Sequence, residues 1–133
     1  MGANGMHASG ALEYEDNRKW RTVDSIGDNI KILEMKPSSP GKRRPGLKLP
    51  EESRTSNRVY VVMYPKDDPK YNGIKAIAQY GDDGKKVFEI HTSDHKGMGI
   101  HHHIWNDGRG GPAVAGLTDD MRVLYEKVIN HGQ

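Results

Sequence analysis

Histidine is concentrated in one short stretch of the sequence. Five of the seven histidines lie between His91 and His103, and positions 101 to 103 are three consecutive histidines. If this stretch is a β-strand, His101 and His103 point to the same face and lie roughly 6.6 Å apart along the strand. Two imidazoles at this spacing suit either metal binding or acid–base catalysis, in which one ring takes a proton and another gives one.

Each kind of chemistry needs further groups, and the sequence offers them nearby. A divalent metal would be bound by His91, His101 and His103, with Asp94 or His95 as alternative third ligands. In acid–base catalysis, His101 or His103 would be the general base, and His95, oriented by the carboxylate of Asp94, would be the general acid. A third interpretation gives these histidines no chemistry and makes them solvated or hydrogen-bonded residues of a sheet edge.

Positive side chains outside the cluster are further candidates. Lys75, at the start of a predicted strand, and Arg109, between glycines, are candidates for neutralising charge in a transition state. The candidate substrate-binding residues are one aromatic and four basic residues: Arg43, Arg44, Lys48, Lys96 and Trp105. Each also has a purely structural interpretation, as part of a solubilising loop, as an exposed turn arginine or as a packing tryptophan.

Composition restricts the class of protein. The chain has 133 residues, no cysteine and a net charge of +2. The absence of cysteine excludes disulfides, thiolate zinc sites and cysteine nucleophiles. No run of about 18 apolar residues is present, so we expect no membrane partner, and the N-terminus has no signal-like region, so we expect a cytoplasmic location. A net charge of +2 does not by itself indicate a nucleic-acid-binding protein.

A basic, proline-rich segment interrupts an otherwise mildly acidic chain. Residues 37–58 contain four of the seven prolines, and six basic residues against two acidic ones give the segment a net charge of +4. Proline disfavours helix and few apolar residues are available for a core, so we predict an extended loop. The chain length fits a single domain spanning residues 1–133.

The remaining apolar residues indicate short strands followed by a helix. Six strands are predicted, at Trp20–Ile26, Ile30–Met35, Arg58–Tyr64, Ile74–Tyr80, Lys85–Thr92 and His101–Trp105. Thr118 is a predicted helix cap, and apolar residues at helical spacing follow from Met121 to Val128. This order predicts an α+β fold, with a small twisted antiparallel sheet of about 4–6 strands and a C-terminal helix packed on one face.

Strand alternation sorts the side chains of the two histidine-containing strands. If these strands are neighbours, one face carries Phe88, Ile90 and Ile104, which we expect in the core. The other face carries Glu89 together with three histidines, His91, His101 and His103. We expect this second face to be open to solvent.

Part of the pattern resembles small domains carried by phages and mobile elements of Gram-positive bacteria. The similarity consists of a strand, an Asp-Gly hairpin and the start of a second strand over residues 74–87, then Asp94-His95, then a His-x-His-x-Trp ending at residues 101–105. Residues 7–14 also resemble an opening found in these domains. Such domains are grouped with toxin-like nucleases of the barnase, EndoU, colicin and RelE type. The resemblance implies an antiparallel sheet packed on helices and metal-free RNA cleavage, with Asp94, His95, His101 and His103 at the matching positions.

The leading hypothesis from the sequence is therefore a metal-independent ribonuclease that uses histidine acid–base catalysis, needs no cofactor and has RNA as its partner. One alternative is a metal-binding protein or hydrolase that uses the histidine cluster. The other is a non-enzymatic phage accessory protein that binds a partner, such as an immunity protein or a phage structural protein, through the basic loop.

Overall fold

A computed structural model describes residues 20–35, 49–64, 73–93 and 97–131 of the chain. Eight strands precede a helix in this part, in the order β1 (Trp20–Ile26), β2 (Ile30–Met35), β3 (Val59–Met63), β4 (Ile74–Tyr80), β5 (Lys86–His91), β6 (His101–Asn106), β7 (Arg109–Gly110), β8 (Val114–Ala115) and α1 (Asp119–Ile129). β1, β2 and β4 have the predicted bounds, and β3, β5 and β6 differ from the prediction by one residue at one or both ends. No helix in the described ranges is long and apolar enough to cross a bilayer.

The strands form one mixed sheet. Their order is β1-β2-β3-β4-β5-β6-β7, and β8 also pairs with β6. All neighbours are antiparallel except β2 and β3, which run parallel with Ile30 opposite Val59. The α+β class is confirmed, but the sheet has more strands than predicted and is not purely antiparallel. β7 and β8 have two residues each, too few for an alternation pattern, and no local turn signal specifies the long crossover between β2 and β3.

The C-terminal helix covers one face of the sheet, as predicted. Met121 and Val128 of α1 are buried in a cluster with strand residues that include Val61, Ile77 and Ile90. The helix begins where the Thr118 hydroxyl accepts a hydrogen bond from the Met121 N–H at 3.3 Å. Asp119 and Asp120 follow in the first turn, where negative charge stabilises a helix dipole.

The opposite face of the sheet has a second hydrophobic core over β1 to β4. Its largest members are Trp20, Tyr60 and Tyr80, and the two tyrosine rings meet edge to face with centroids 5.2 Å apart. Leu49 packs into this core, and the Tyr80 hydroxyl donates a hydrogen bond to the carbonyl of Pro50. Residues 49 and 50 therefore cover part of this face.

The end of the predicted basic loop is fixed to the hairpin between β4 and β5. The Ser53 N–H donates to the Gly84 carbonyl at 2.8 Å, and the Asn57 N–H donates to the Gly81 carbonyl at 3.0 Å. Gly84 has a positive φ of 80°, and a side chain there would collide with the carbonyl oxygen of Ser53. Residues 37–48 of the predicted loop lie outside the described residues.

Candidate metal centre

The register of the sheet brings three histidines together on one face. β5 and β6 are antiparallel neighbours, with His91 opposite His101 and Glu89 opposite His103. The assumption that these two strands are neighbours therefore holds. The expectation of an open face holds only in part, because Glu89 and His101 retain exposed fractions of only 9% and 2%, whereas His91 and His103 are half-buried. The polar atoms of Glu89 and His101 are engaged inside the site rather than by solvent.

The other face of β5 and β6 mostly packs against the hydrophobic core that α1 covers. Ile90 is fully buried and Phe88 packs partly buried against this core, as predicted. Ile104 was expected in the core but is 41% exposed, since it lies near the end of β6 and outside the helix-covered cluster. His102 alternates away from its neighbours, and its Nδ1 lies 2.7 Å from the Gly116 carbonyl oxygen.

The three histidine rings form a nearly equilateral triangle. Their centroids are 5.3 Å apart for His91 and His101, 4.9 Å for His91 and His103, and 5.4 Å for His101 and His103. One ring nitrogen from each histidine lies within 4.8 Å of the corresponding nitrogens of the other two. Three imidazoles on one zinc ion, with bonds of about 2.0–2.1 Å and tetrahedral angles, would have centroids about 5.2 Å apart. The centroid distances of the triangle therefore agree with those of a three-histidine metal site, in which the three ring nitrogens, now within 4.8 Å of one another, would converge on one ion.

Backbone carbonyls orient two of the three rings. Nδ1 of His101 lies 2.9 Å from the Gly99 carbonyl oxygen, and Nδ1 of His103 lies 2.9 Å from the Gly111 carbonyl oxygen. A carbonyl only accepts hydrogen bonds, so both Nδ1 atoms carry the proton. The lone pair of each neutral ring is then on Nε2. Metal-binding histidines commonly have such a hydrogen bond from the ring nitrogen that does not bind the ion.

A buried carboxylate orients the third ring. Nε2 of His91 lies 2.7 Å from Oε1 of Glu89, so the ring donates through Nε2 and has its lone pair on Nδ1. The second oxygen of Glu89 accepts from Nζ of Lys86 at 2.6 Å. Burial would raise the pKa of Glu89, but its hydrogen bond with His91 and the nearby Lys86 ammonium outweigh burial and lower it. Glu89 is therefore an ionised acceptor for the His91 N–H.

Lys86 and Trp105 complete this buried network. The Lys86 side chain is only 3% exposed, and its Nζ lies 4.2 Å from the centroid of the Trp105 ring, within the range of a cation–π contact. Gly110 lies against the same ring, since a Cβ at this position would be 3.0 Å from two of its carbons. The Trp105 ring thus packs against the Lys86 ammonium, which donates a hydrogen bond to Glu89.

A pocket of about 410 Å³ adjoins the cluster. His91, Glu89, Lys86 and Trp105 line its side toward the centre, and Lys75 of β4 lines it as well. The Lys75 Nζ lies 5.5 Å from the centroid of the Tyr64 ring. A larger cavity of about 650 Å³ lies beside α1, and none of the three clustered histidines lines it.

The structure brings together some of the predicted site residues and not others. The three predicted metal ligands, His91, His101 and His103, lie close together, and Lys75 lines the adjoining pocket. Trp105 contacts Lys86, which in turn is part of the buried network. Arg109 is exposed on β7, opposite Asn106. Six predicted residues lie outside the described part of the chain: Arg43, Arg44, Lys48, Asp94, His95 and Lys96. Their roles stay predictions.

Two members of the network, Glu89 and Lys86, were not predicted from the sequence to be functional residues. Alternation placed Glu89 on the histidine face, and a carboxylate two residues before a histidine was the available signal for its role. Lys86 was harder to find, because a register irregularity between Gln79 and Tyr80 interrupts the pairing where Lys86 lies opposite Tyr80. Simple alternation does not apply across such a bulge.

Comparison with protein-family models, curated proteins and solved structures finds no match to this chain. The resemblance to phage-borne nuclease-like domains therefore stays a prediction. The geometry of the histidine site is the feature that bears on function.

Proposed function

We propose that the protein is a metal-dependent hydrolase whose centre is a zinc-type divalent ion bound by His91, His101 and His103. One observation supports this proposal above others: ring nitrogens of the three histidines cluster within 4.8 Å, and each ring has one nitrogen hydrogen-bonded to an acceptor. Three protein ligands plus a position for water are typical of catalytic zinc sites, whereas structural sites have four protein ligands.

The ligand set and its surroundings favour hydrolysis. A divalent ion in such a site acidifies water and polarises an ester oxygen. In the net reaction one ester bond breaks, the hydroxyl of water goes to the acyl or phosphoryl centre, and the remaining proton goes to the leaving oxygen. The residues of the chain orient the ligands, and the adjoining pocket gives a substrate access to the His91 side of the cluster.

The metal site is tested by zinc titration of the untagged protein against a chromophoric chelator. We expect one zinc ion per chain, and we expect His91→Ala, His101→Ala and His103→Ala each to weaken binding strongly. His102→Ala is the matched control, because His102 lies on the same strand but hydrogen-bonds the Gly116 carbonyl on the other face. Absence of zinc binding by the wild type, or an equal loss in the control, would contradict the proposal.

The hydrolytic activity is tested with p-nitrophenyl esters of phosphate and of acetate. We expect release of nitrophenol to stop after EDTA treatment and dialysis, and to return when zinc is added. If the protein binds zinc but hydrolyses neither ester, the proposed hydrolase activity is wrong and only the proposed metal site stands.

Metal-free acid–base cleavage of RNA is the second candidate. Its specific support is that an imidazole and an ammonium, those of His91 and Lys75, line the same pocket. Incubation of RNA with the protein in EDTA separates the two candidates. Cleavage that survives removal of metal and is lost in the His101→Ala/His103→Ala double variant would favour this mechanism over the metal-dependent one.

A further inference from the structure

We infer that the pocket beside the histidine centre accepts phosphate esters, and that Lys75 is the residue that recognises their negative charge. This inference rests on the proposed function, since the metal ion is the second group that would bind the phosphoryl oxygens. It names the substrate class of the same site and a specificity-determining residue within it.

Among the described residues that line the pocket, the charges leave one cation available for a ligand. Lys86 is paired with Glu89 at 2.6 Å and is buried, so its charge is neutralised within the protein. Glu51 is exposed at the pocket, and its charge is in contact with solvent. Lys75 forms no ion pair with any of the described residues, and its ammonium group lies near the Tyr64 ring.

The backbone of Lys75 is fixed next to the metal ligand His91. The N–H of Thr92, the residue that follows His91, donates to the Lys75 carbonyl at 3.1 Å, and the Thr92 hydroxyl donates to the carbonyl of Ile74 at 2.7 Å. Lys75, the second residue of β4, therefore lies directly beside the end of β5. Its long side chain can adjust within the pocket, while its Cα is held at a constant position relative to His91.

The charge of the assembled centre favours an anion. The three ligands are neutral imidazoles, and the Lys86–Glu89 pair has no net charge, so the ligands and this pair leave the two positive charges of a divalent ion uncompensated. A phosphoryl group has several oxygens, so one can bind the ion while another accepts a hydrogen bond from the Lys75 ammonium. A neutral ester offers only one weakly negative oxygen.

The remaining wall of the pocket suits an apolar body on the substrate. Leu49, Val62 and Ala76 line it beside the charged residues. Ligand pockets commonly combine apolar walls with a few polar groups that orient the ligand, and about 410 Å³ lies within their usual range of volumes. An aryl or alkyl phosphate fits this combination.

The inference is tested with inorganic phosphate as the probe, by calorimetric titration of the zinc-loaded protein. Lys75→Met keeps the apolar stem and removes the charge, and we expect it to weaken phosphate binding about 10- to 100-fold, the range for a hydrogen bond between charged groups. Lys75→Arg keeps the charge and should retain most of the affinity. The same loss should appear in kcat/KM for p-nitrophenyl phosphate but not for neutral p-nitrophenyl acetate.

The zinc affinity of each variant distinguishes a failure of the proposed metal centre from a failure of phosphate recognition by Lys75. If Lys75→Met binds zinc like the wild type and also binds phosphate like the wild type, the inference is wrong while the proposed metal centre stands. If the wild type binds acetate, a carboxylate, as tightly as phosphate, the preference for phosphate is wrong. A wild type that binds no zinc overturns the metal centre and this inference together.

Discussion

Replacement of Glu89 by glutamine perturbs the group that orients His91 while it preserves side-chain size. Glu89 accepts the His91 N–H at 2.7 Å, and a neutral amide is a weaker acceptor than an ionised carboxylate. Loss of such an outer partner of a metal-binding histidine typically costs about 10- to 100-fold in metal affinity. This corresponds to about 1.4–2.7 kcal/mol in binding free energy. We therefore expect zinc affinity to fall by this factor without loss of any direct ligand.

The single substitution also leaves the Lys86 ammonium buried without its partner. Removal of one member of a buried ion pair costs about 3–5 kcal/mol of unfolding free energy, a large part of the stability of a small domain. The decisive variant is therefore Lys86→Met/Glu89→Gln, which removes both charges. We expect this double variant to fold, as measured by circular dichroism, and to bind zinc about 10- to 100-fold more weakly than the wild type in chelator competition.

A second ion pair of the same sheet provides the matched control. Arg21 and Glu34 join β1 and β2 at 2.6 Å, and the Glu34 side chain is 7% exposed. We expect Arg21→Met/Glu34→Gln to change the free energy of unfolding but not zinc affinity. If the Glu89 double variant binds zinc as tightly as the wild type, or if both double variants lose affinity equally, the assignment of Glu89 as a positioning residue is refuted.

Three further predictions concern stability, measured by urea unfolding. Burial raises the pKa of Tyr80 well above its ordinary value of 10.0, so the unfolded chain loses this proton first. The contribution of this group to stability is complete below about pH 10 and is lost as the pH rises above it, so Tyr80→Phe should lose less stability than the wild type above about pH 10. Met121→Ala should cost about 2–5 kcal/mol, whereas Val123→Ala, at a residue 69% exposed, should stay within about 0.5 kcal/mol. Gly84→Ala should destabilise the protein more than Gly27→Ala. Both glycines have a positive φ, which costs a non-glycine residue roughly 1–2 kcal/mol. At Gly84 the new Cβ would also collide with backbone atoms, whereas at Gly27 it would meet open space.

The sequence predicts local structure well where a short-range pattern determines it. Alternating β-branched residues and adjacent turns locate β1, β2 and β4 without error, and the Thr118 cap with its 3–4 apolar spacing locates α1. The same reasoning places His91, His101 and His103 on one face. What it cannot provide is the parallel pairing of β2 with β3, because this depends on a long connection and not on residues close in sequence.

The missed parts of the site have a related physical origin. Burial of Glu89 depends on Lys86, whose own burial depends on the Trp105 ring from the next strand and on the pairing irregularity opposite Tyr80. Such an arrangement is decided by contacts across the sheet, and pattern analysis along one strand does not reveal it. The predicted open face is closed at Glu89 by partners of its own strand, Lys86 and His91.

The absence of cysteine connects the composition to the chemistry of the site. A zinc centre with thiolate ligands has its positive charge compensated by the protein, as do many sites with carboxylate ligands. This chain has no thiolates, and Glu89, a carboxylate in contact with the cluster, accepts hydrogen bonds from a histidine and a lysine. Three neutral imidazoles therefore leave a bound ion strongly positive, which lowers the pKa of water on it and attracts an anionic ligand. In the proposed metal centre, the same charge balance would suit both hydrolysis and the binding of a phosphate ester.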